Sequence, residues 1–173
     1  TLSGANTYTG GTTINAGTLA LGLGGSLAAG GDVTLAGVGA QLYISASGNQ
    51  TIGGLSGVAG SAIVLGGNSL IFGSAVDRRF DGGITGSGGL IKVGMGVQSM
   101  AGASTYSGGT TLNAGGLVVG NDAALGSGAL TVGGSASLDT SVATTLANNV
   151  VLNAGLTVLG SNALTLNGSI SGT

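Results

Sequence analysis

Apolar residues in this chain come in brief runs rather than long stretches. Runs rich in β-branched and aliphatic side chains recur at Thr12 to Ile14, Thr18 to Leu21, Val33 to Leu35, Gln41 to Ile44, Ala62 to Leu65, Ser69 to Phe72, Leu90 to Val93, Thr110 to Leu112, Gly116 to Val119, Ala129 to Val132, Val150 to Leu152, Leu156 to Leu159 and Ala163 to Leu166. Each spans about three to five residues and is bounded mostly by Gly, Asn, Asp or Ser, which reads as strand followed by turn. Helix is disfavoured, because Gly recurs throughout and each one inside a helix costs about 1 kcal/mol against Ala.

Turn spacing selects among β architectures. Sandwich and barrel strands are punctuated about every 8–12 residues. Here turns come about every 5–9 residues, so the chain bends before a long strand can form. The expected fold is all-β: a right-handed parallel β-helix (β-solenoid) with three short strands per coil and about seven coils. Gly supplies positive φ at the corners without a Cβ penalty.

An internal repeat supports coils. Leu2–Gly22 aligns with Met100–Gly120, with 13 of 21 positions identical at an offset of 98. Tyr8, Gly10, Gly11, Asn15 and Gly17 recur as Tyr106, Gly108, Gly109, Asn113 and Gly115, which marks them as structural repeat positions. The long repeat reads as about four coils of roughly 22–25 residues. At about 4.8 Å per coil the whole is a rod of about 35 Å. Residues 1–173 are expected to form a single β-solenoid fragment of a longer repeat protein, with a partial copy at roughly 1–86 and another at 87–173.

The stretch Gly86-Ser-Gly-Gly-Leu-Ile-Lys-Val-Gly, continuing through Ala103-Ser-Thr-Tyr-Ser-Gly-Gly-Thr-Thr-Leu-Asn-Ala-Gly-Gly-Leu117, resembles the passenger-associated β-strand repeat of type V autotransporters. Leu2–Leu19 is similar to the second half of another copy, and Leu164–Thr173 to the segment leading into a third. Met95–Met100, and Ser104 in place of Asn6, depart from the pattern. The resemblance implies a segment of a large protein secreted by a Gram-negative bacterium, located on or outside the cell surface. Its membrane passage would use a separate C-terminal barrel outside these residues. Lys92 lies in the family frame and is expected to be structural.

Composition narrows the chemistry. The chain has no Cys and no His, so thiol nucleophiles, soft metal sites and Ser-His-Asp triads are not expected. Three basic residues give no polybasic surface, and 3% aromatic residues give no stacking platform, so nucleic acid is not an expected partner. No cofactor, metal, small-molecule substrate or enzymatic activity is expected. Asp32 and Asp122 read as turn residues, and the five Asp as solvated corners. The segment Asp77, Arg78, Arg79, Phe80, Asp81 holds half of the charged residues; it reads as a corner or small excursion, with the arginines pairing to Asp77 or Asp81, and is the candidate interaction site. Tyr8 and Tyr106 are expected to cover the solenoid wall.

The function expected is a non-catalytic stalk and adhesive segment, contacting a host or bacterial surface or another copy of itself, laterally or end to end. An alternative is an extracellular filament self-assembled from the same repeat.

Overall fold

The computed structural model describes residues 1–173. Every strand pairs in parallel with its counterpart one coil away, giving a right-handed parallel β-helix of about eight turns. The first face stacks Thr12–Ile14, Val33–Leu35, Leu55–Gly57, Arg78–Phe80, Val97–Met100, Gly115–Val119, Ala136–Thr140 and Leu156–Val158. The third face stacks Gln50–Ile52, Leu70–Phe72, Leu90–Lys92, Thr110–Leu112, Leu130–Val132, Val150–Leu152 and Ile170–Gly172.

The second face is interrupted. Thr18–Ala20, Gln41–Tyr43, Ala62–Val64 and Gly83–Thr85 form one sheet, and Thr144–Leu146 with Leu164–Leu166 another. Between them the chain passes twice without regular strand. Those passes are tied in by Thr105 N–H to the Ile84 carbonyl at 2.8 Å, Ser107 N–H to that of Gly86 at 3.0 Å, and Ser127 N–H to that of Tyr106 at 3.0 Å.

Register on the third face is uniform. Gln50, Leu70, Leu90, Thr110, Leu130, Val150 and Ile170 stack one above another, so each coil advances the chain by 20 residues. On the first face the spacing drifts: Thr12 lies beneath Val33, Val33 beneath Leu55, and Gly57 beneath Phe80. Some early coils thus have the 22–25 residues expected, but those of the third face are shorter, because corners such as Gly53–Gly54 turn the chain in two residues.

Each strand turns alternate side chains inward, as a pleated strand must. Ile52, Phe72, Leu112 and Val132 line the inside of the third face, and Leu35, Phe80, Met100 and Val119 that of the first. All of these except Val132 belong, with residues from the second face, to one core cluster of 27 buried residues. Of the two Phe, Phe72 stacks between Ile52 and Lys92, and Phe80 is accommodated by local subtraction. Phe80 stacks directly over Gly57, where a Cβ would lie 2.6 Å from its ring.

The 98-residue repeat does not span a whole number of coils. Thr12–Ile14 lies on the first face, but its sequence counterpart Thr110–Leu112 lies on the third. Thr18–Ala20 lies on the second face, but its counterpart in Gly115–Val119 lies on the first. The repeat therefore covers about four and two-thirds coils rather than four, and its second copy is turned by one face about the axis. Local geometry survives the turn. Leu2 bridges Leu21 in parallel as Met100 pairs with Val119, and Gly17 and Gly115 hold φ of 69° and 72°.

Gly57→Ala is predicted to destabilise the protein by about 1–3 kcal/mol, the usual cost of overpacking a filled core. Combining it with Phe80→Leu should recover part of that loss. A double-mutant cycle by denaturant unfolding checks the coupling; additive effects would contradict it.

Candidate interaction surface

The charged segment is built into the first face. Arg78–Phe80 is a strand, not the corner or excursion expected, and only Asp77 and Asp81 lie at its ends. Pairing with Val97–Met100 above overrides the polar character of the two arginines. The Asp77 carboxylate accepts the Val97 N–H of the next coil at 2.8 Å. Phe80 is 0% exposed and belongs to the core, so it offers no anchor to a partner. Arg79 is the exposed member, with Nε 2.8 Å from Asp81 Oδ1.

Arg78 pairs with neither acid expected for it. Its guanidinium reaches across Gly54 to the carboxylate of Asp32, 46 residues earlier. A side chain on Gly54 would collide with that arginine, so the glycine clears the route. Asp32 also accepts the Gly54 N–H at 2.6 Å. One carboxylate thus ties three successive coils along one edge. The Gly54 N–H, and then Arg78, hold the Asp32 pKa below its ordinary value of 3.8, outweighing slight desolvation.

The same device recurs. The Asp122 carboxylate accepts the Thr145 N–H at 2.7 Å, and Asp139 accepts the Ser161 N–H at 3.0 Å and the Ser161 hydroxyl at 2.5 Å. Asn49 and Asn149 take the N–H groups of Ser69 and Ser169, 20 residues on, at 2.8 and 3.0 Å. These side chains bond the coil above, a role beyond that of solvated corners. Ser161, with the Thr140 N–H, also holds Asp139 below its ordinary pKa.

Lys92 points inward, between Phe72 and Leu112. Its ammonium donates to the carbonyls of Val93 and Gly94 at 2.8 Å each and of Ala114 at 3.2 Å. All three protons are used, and two stacked corners are pinned. Burial lowers the Lys92 pKa, with Asp77 opposing.

Tyr106 is also inside, its hydroxyl 2.6 Å from Thr110 Oγ1. Tyr8 repeats that bond to Thr12 at 2.6 Å but is 38% exposed, because no coil lies beneath it in this chain. Asn15 and Asn113 run under Gly37 and Gly134 so closely that a Cβ on either glycine would collide with the asparagine carbonyl. Gly109 has φ of 80° and sits against Ala129, whereas Gly11 keeps a negative φ against Asp32. Gly108 packs on Gly88; Gly10 is open.

Charge is segregated. Asp32, Asp77, Arg78, Arg79, Asp81, Asp122 and Asp139 all lie on the first face or at its two edges, and the eighth charge, Lys92, is internal. The outward row of the third face is Thr51, Ile71, Ile91, Thr111, Thr131, Val151 and Ser171. It carries no charge over seven rungs.

This architecture defines a β-solenoid repeat segment. The passenger-associated-transport-repeat family model, an autotransporter passenger repeat, matches residues 1–21 and 90–119, and the chain is similar to that repeat at both places. No curated protein and no solved structure gives a significant match to the chain. The two matched stretches are the ones that hold the Tyr–Thr bonds and the paired positive-φ glycines.

Two pH responses follow. Asp32 and Asp139 have folded pKa values below 3.8, so their stabilisation is complete above that pH and disappears as pH falls through the folded values. Melting temperature should therefore drop below about pH 4, and Asp32→Asn with Asp139→Asn should flatten that drop. Tyr106 behaves oppositely. Burial pushes its pKa from 10.0 to about 12, with the Thr110 bond opposing. Its contribution is full below pH 10 and is lost as pH climbs to about 12, so Tyr106→Phe should shallow the alkaline melting profile. A profile that Tyr106→Phe leaves unchanged would refute the assignment.

Proposed function

We propose that this chain is a rigid, non-catalytic spacer within the secreted passenger of a Gram-negative autotransporter, and that its uncharged faces make adhesive contacts. The passenger repeat supports the secretion route and an extracellular or cell-surface location. Continuous parallel ladders on the first and third faces support stiffness, since bending the rod would open rung-to-rung hydrogen bonds along its length.

The observation that carries the adhesive reading is the segregation of charge to the first face and its edges. The seven-rung third face can approach another surface without like-charge repulsion or loss of ion hydration. Its central row of Thr, Ile and Val offers methyl groups and hydroxyls at a spacing of about 4.8 Å, suited to a flat, neutral surface. Contact of this kind gains area with every added coil.

Bead or cell clustering by displayed protein tests the reading. Clustering should persist between about 0.05 and 1 M salt, because screening acts on charges and this face has none. Ile91→Lys with Thr131→Lys should abolish it. Clustering that salt disperses would place the contact on the charged face instead.

A further inference from the structure

Outward aromatic and amide side chains are rare on this rod, and two of them stand together on the second face. Of the five aromatic residues, Phe72, Phe80 and Tyr106 are buried, and Tyr8 bonds its hydroxyl to Thr12 at 2.6 Å. Tyr43 has no such role. It projects outward from the strand Gln41–Tyr43, half-buried, and its hydroxyl makes no hydrogen bond within the chain. Of the three Gln, Gln50 and Gln98 turn inward, and their amides donate to backbone carbonyls such as Gly25 at 3.2 Å and Leu55 at 3.1 Å. Gln41 is the third. It lies on the same side of the strand as Tyr43, about 6.7 Å along it. Its Oε1 accepts the Thr18 hydroxyl at 3.0 Å, which orients the amide, and its Nε2 donates to nothing.

The neighbouring rungs leave this pair uncovered. Tyr43 stacks between Ala20 and Val64, and Gln41 between Thr18 and Ala62. All four neighbours are shorter than the residue they flank, so the ring and the amide rise from a flat pavement. No charged residue occurs in the strands Thr18–Ala20, Gln41–Tyr43, Ala62–Val64 or Gly83–Thr85.

We propose that this patch binds one or two hexose units of a neutral glycan. A sugar ring stacks on Tyr43, and its hydroxyls bond to Gln41 Nε2 and to the Tyr43 hydroxyl.

The chemistry of the pair selects this ligand. A pyranose has an apolar face of C–H groups and a rim of hydroxyls. The Tyr43 ring buries the C–H face, and the free amide donor serves the rim. Tyr makes such contacts at little entropic cost, because it has few rotatable bonds. Charge selects a neutral sugar, since a carboxylated or sulfated one would lose hydration with no cation in these strands to replace it. Size selects a glycan over a protein. Three rungs about 4.8 Å apart, crossed by two outward residues about 6.7 Å apart, give roughly 150–200 Å². A stable protein interface needs about 800 Å² per partner. The site lies on a different face from the neutral row of the third face and is independent of its contacts.

Saturation-transfer NMR and isothermal titration calorimetry with cellotetraose, maltotetraose and mannotetraose test the site. At least one should bind, with transfer strongest to the C–H protons of one ring face. Tyr43→Ala should weaken binding about tenfold. Tyr43→Trp, which keeps an aromatic face, should retain it. Gln41→Leu keeps the bulk but removes the donor, and should weaken binding about threefold to tenfold. All three variants alter outward positions and should melt close to wild type. A sulfated heparin tetrasaccharide should not bind. Failure of all three neutral probes, unchanged affinity of Tyr43→Ala, or tighter binding of the heparin probe would overturn the proposal. So would self-association abolished by Tyr43→Ala without glycan binding, which would seat a second copy of the chain on the patch.

Discussion

The structure depends on one constraint: parallel rungs spaced about 4.8 Å apart place each residue directly over its counterpart in the coil below. Any side chain must therefore be compatible with two near-copies of itself. Aliphatic side chains meet this condition easily, and stacks such as Leu70 with Leu90 and Leu130 with Val150 are the result. Bulky or charged groups meet it only with a local concession. Phe80 requires a glycine beneath it, Arg78 requires Gly54 to clear its path, and Lys92 requires three backbone carbonyls around its ammonium. The scarcity of charge and aromatics in the composition fits this geometry.

The corners answer the same constraint in backbone terms. Where the chain turns, N–H groups leave the ladder and need other acceptors. Asp32, Asp77, Asp139, Asn49 and Asn149 supply them, each reaching the coil above, and Asp122 does the same for Thr145 within the strand Thr144–Leu146. The carboxylates are thus consumed as structural acceptors and stand dispersed along the rod, with no group of three that could hold a metal ion. Stability and the distribution of charge are set by the same residues.

Much of this was legible in the sequence. Short runs bounded by glycine located the aliphatic strands, and Thr12–Ile14, Val33–Leu35, Thr110–Leu112 and Val150–Leu152 have the boundaries expected. Gln50–Ile52, Leu55–Gly57, Arg78–Phe80, Val97–Met100 and Ala136–Thr140 were not legible, because their composition is polar or glycine-rich and only the rungs above and below make them strands. Gln98 shows the reason: its inward amide is satisfied by the Leu55 carbonyl, 43 residues away. The Asp32–Arg78 pair was hidden for a related reason. Finding it needs the length of each coil, and on the first face that length varies from one coil to the next.

The repeat itself carries a further lesson about what its motif encodes. A motif that specified a face would recur at a whole number of coils. This one recurs after about four and two-thirds, and its two copies occupy different faces. What both copies retain is local: a Tyr hydroxyl held by a Thr four residues on, a positive-φ glycine before the next strand, and a parallel bridge 19 residues apart. The motif therefore encodes a way of turning and closing one coil, independent of orientation about the axis. Selection on such a motif can preserve the rod while leaving its outward residues free to change. The outward row of the third face and the charged first face can then differ in character although the same repeat builds both.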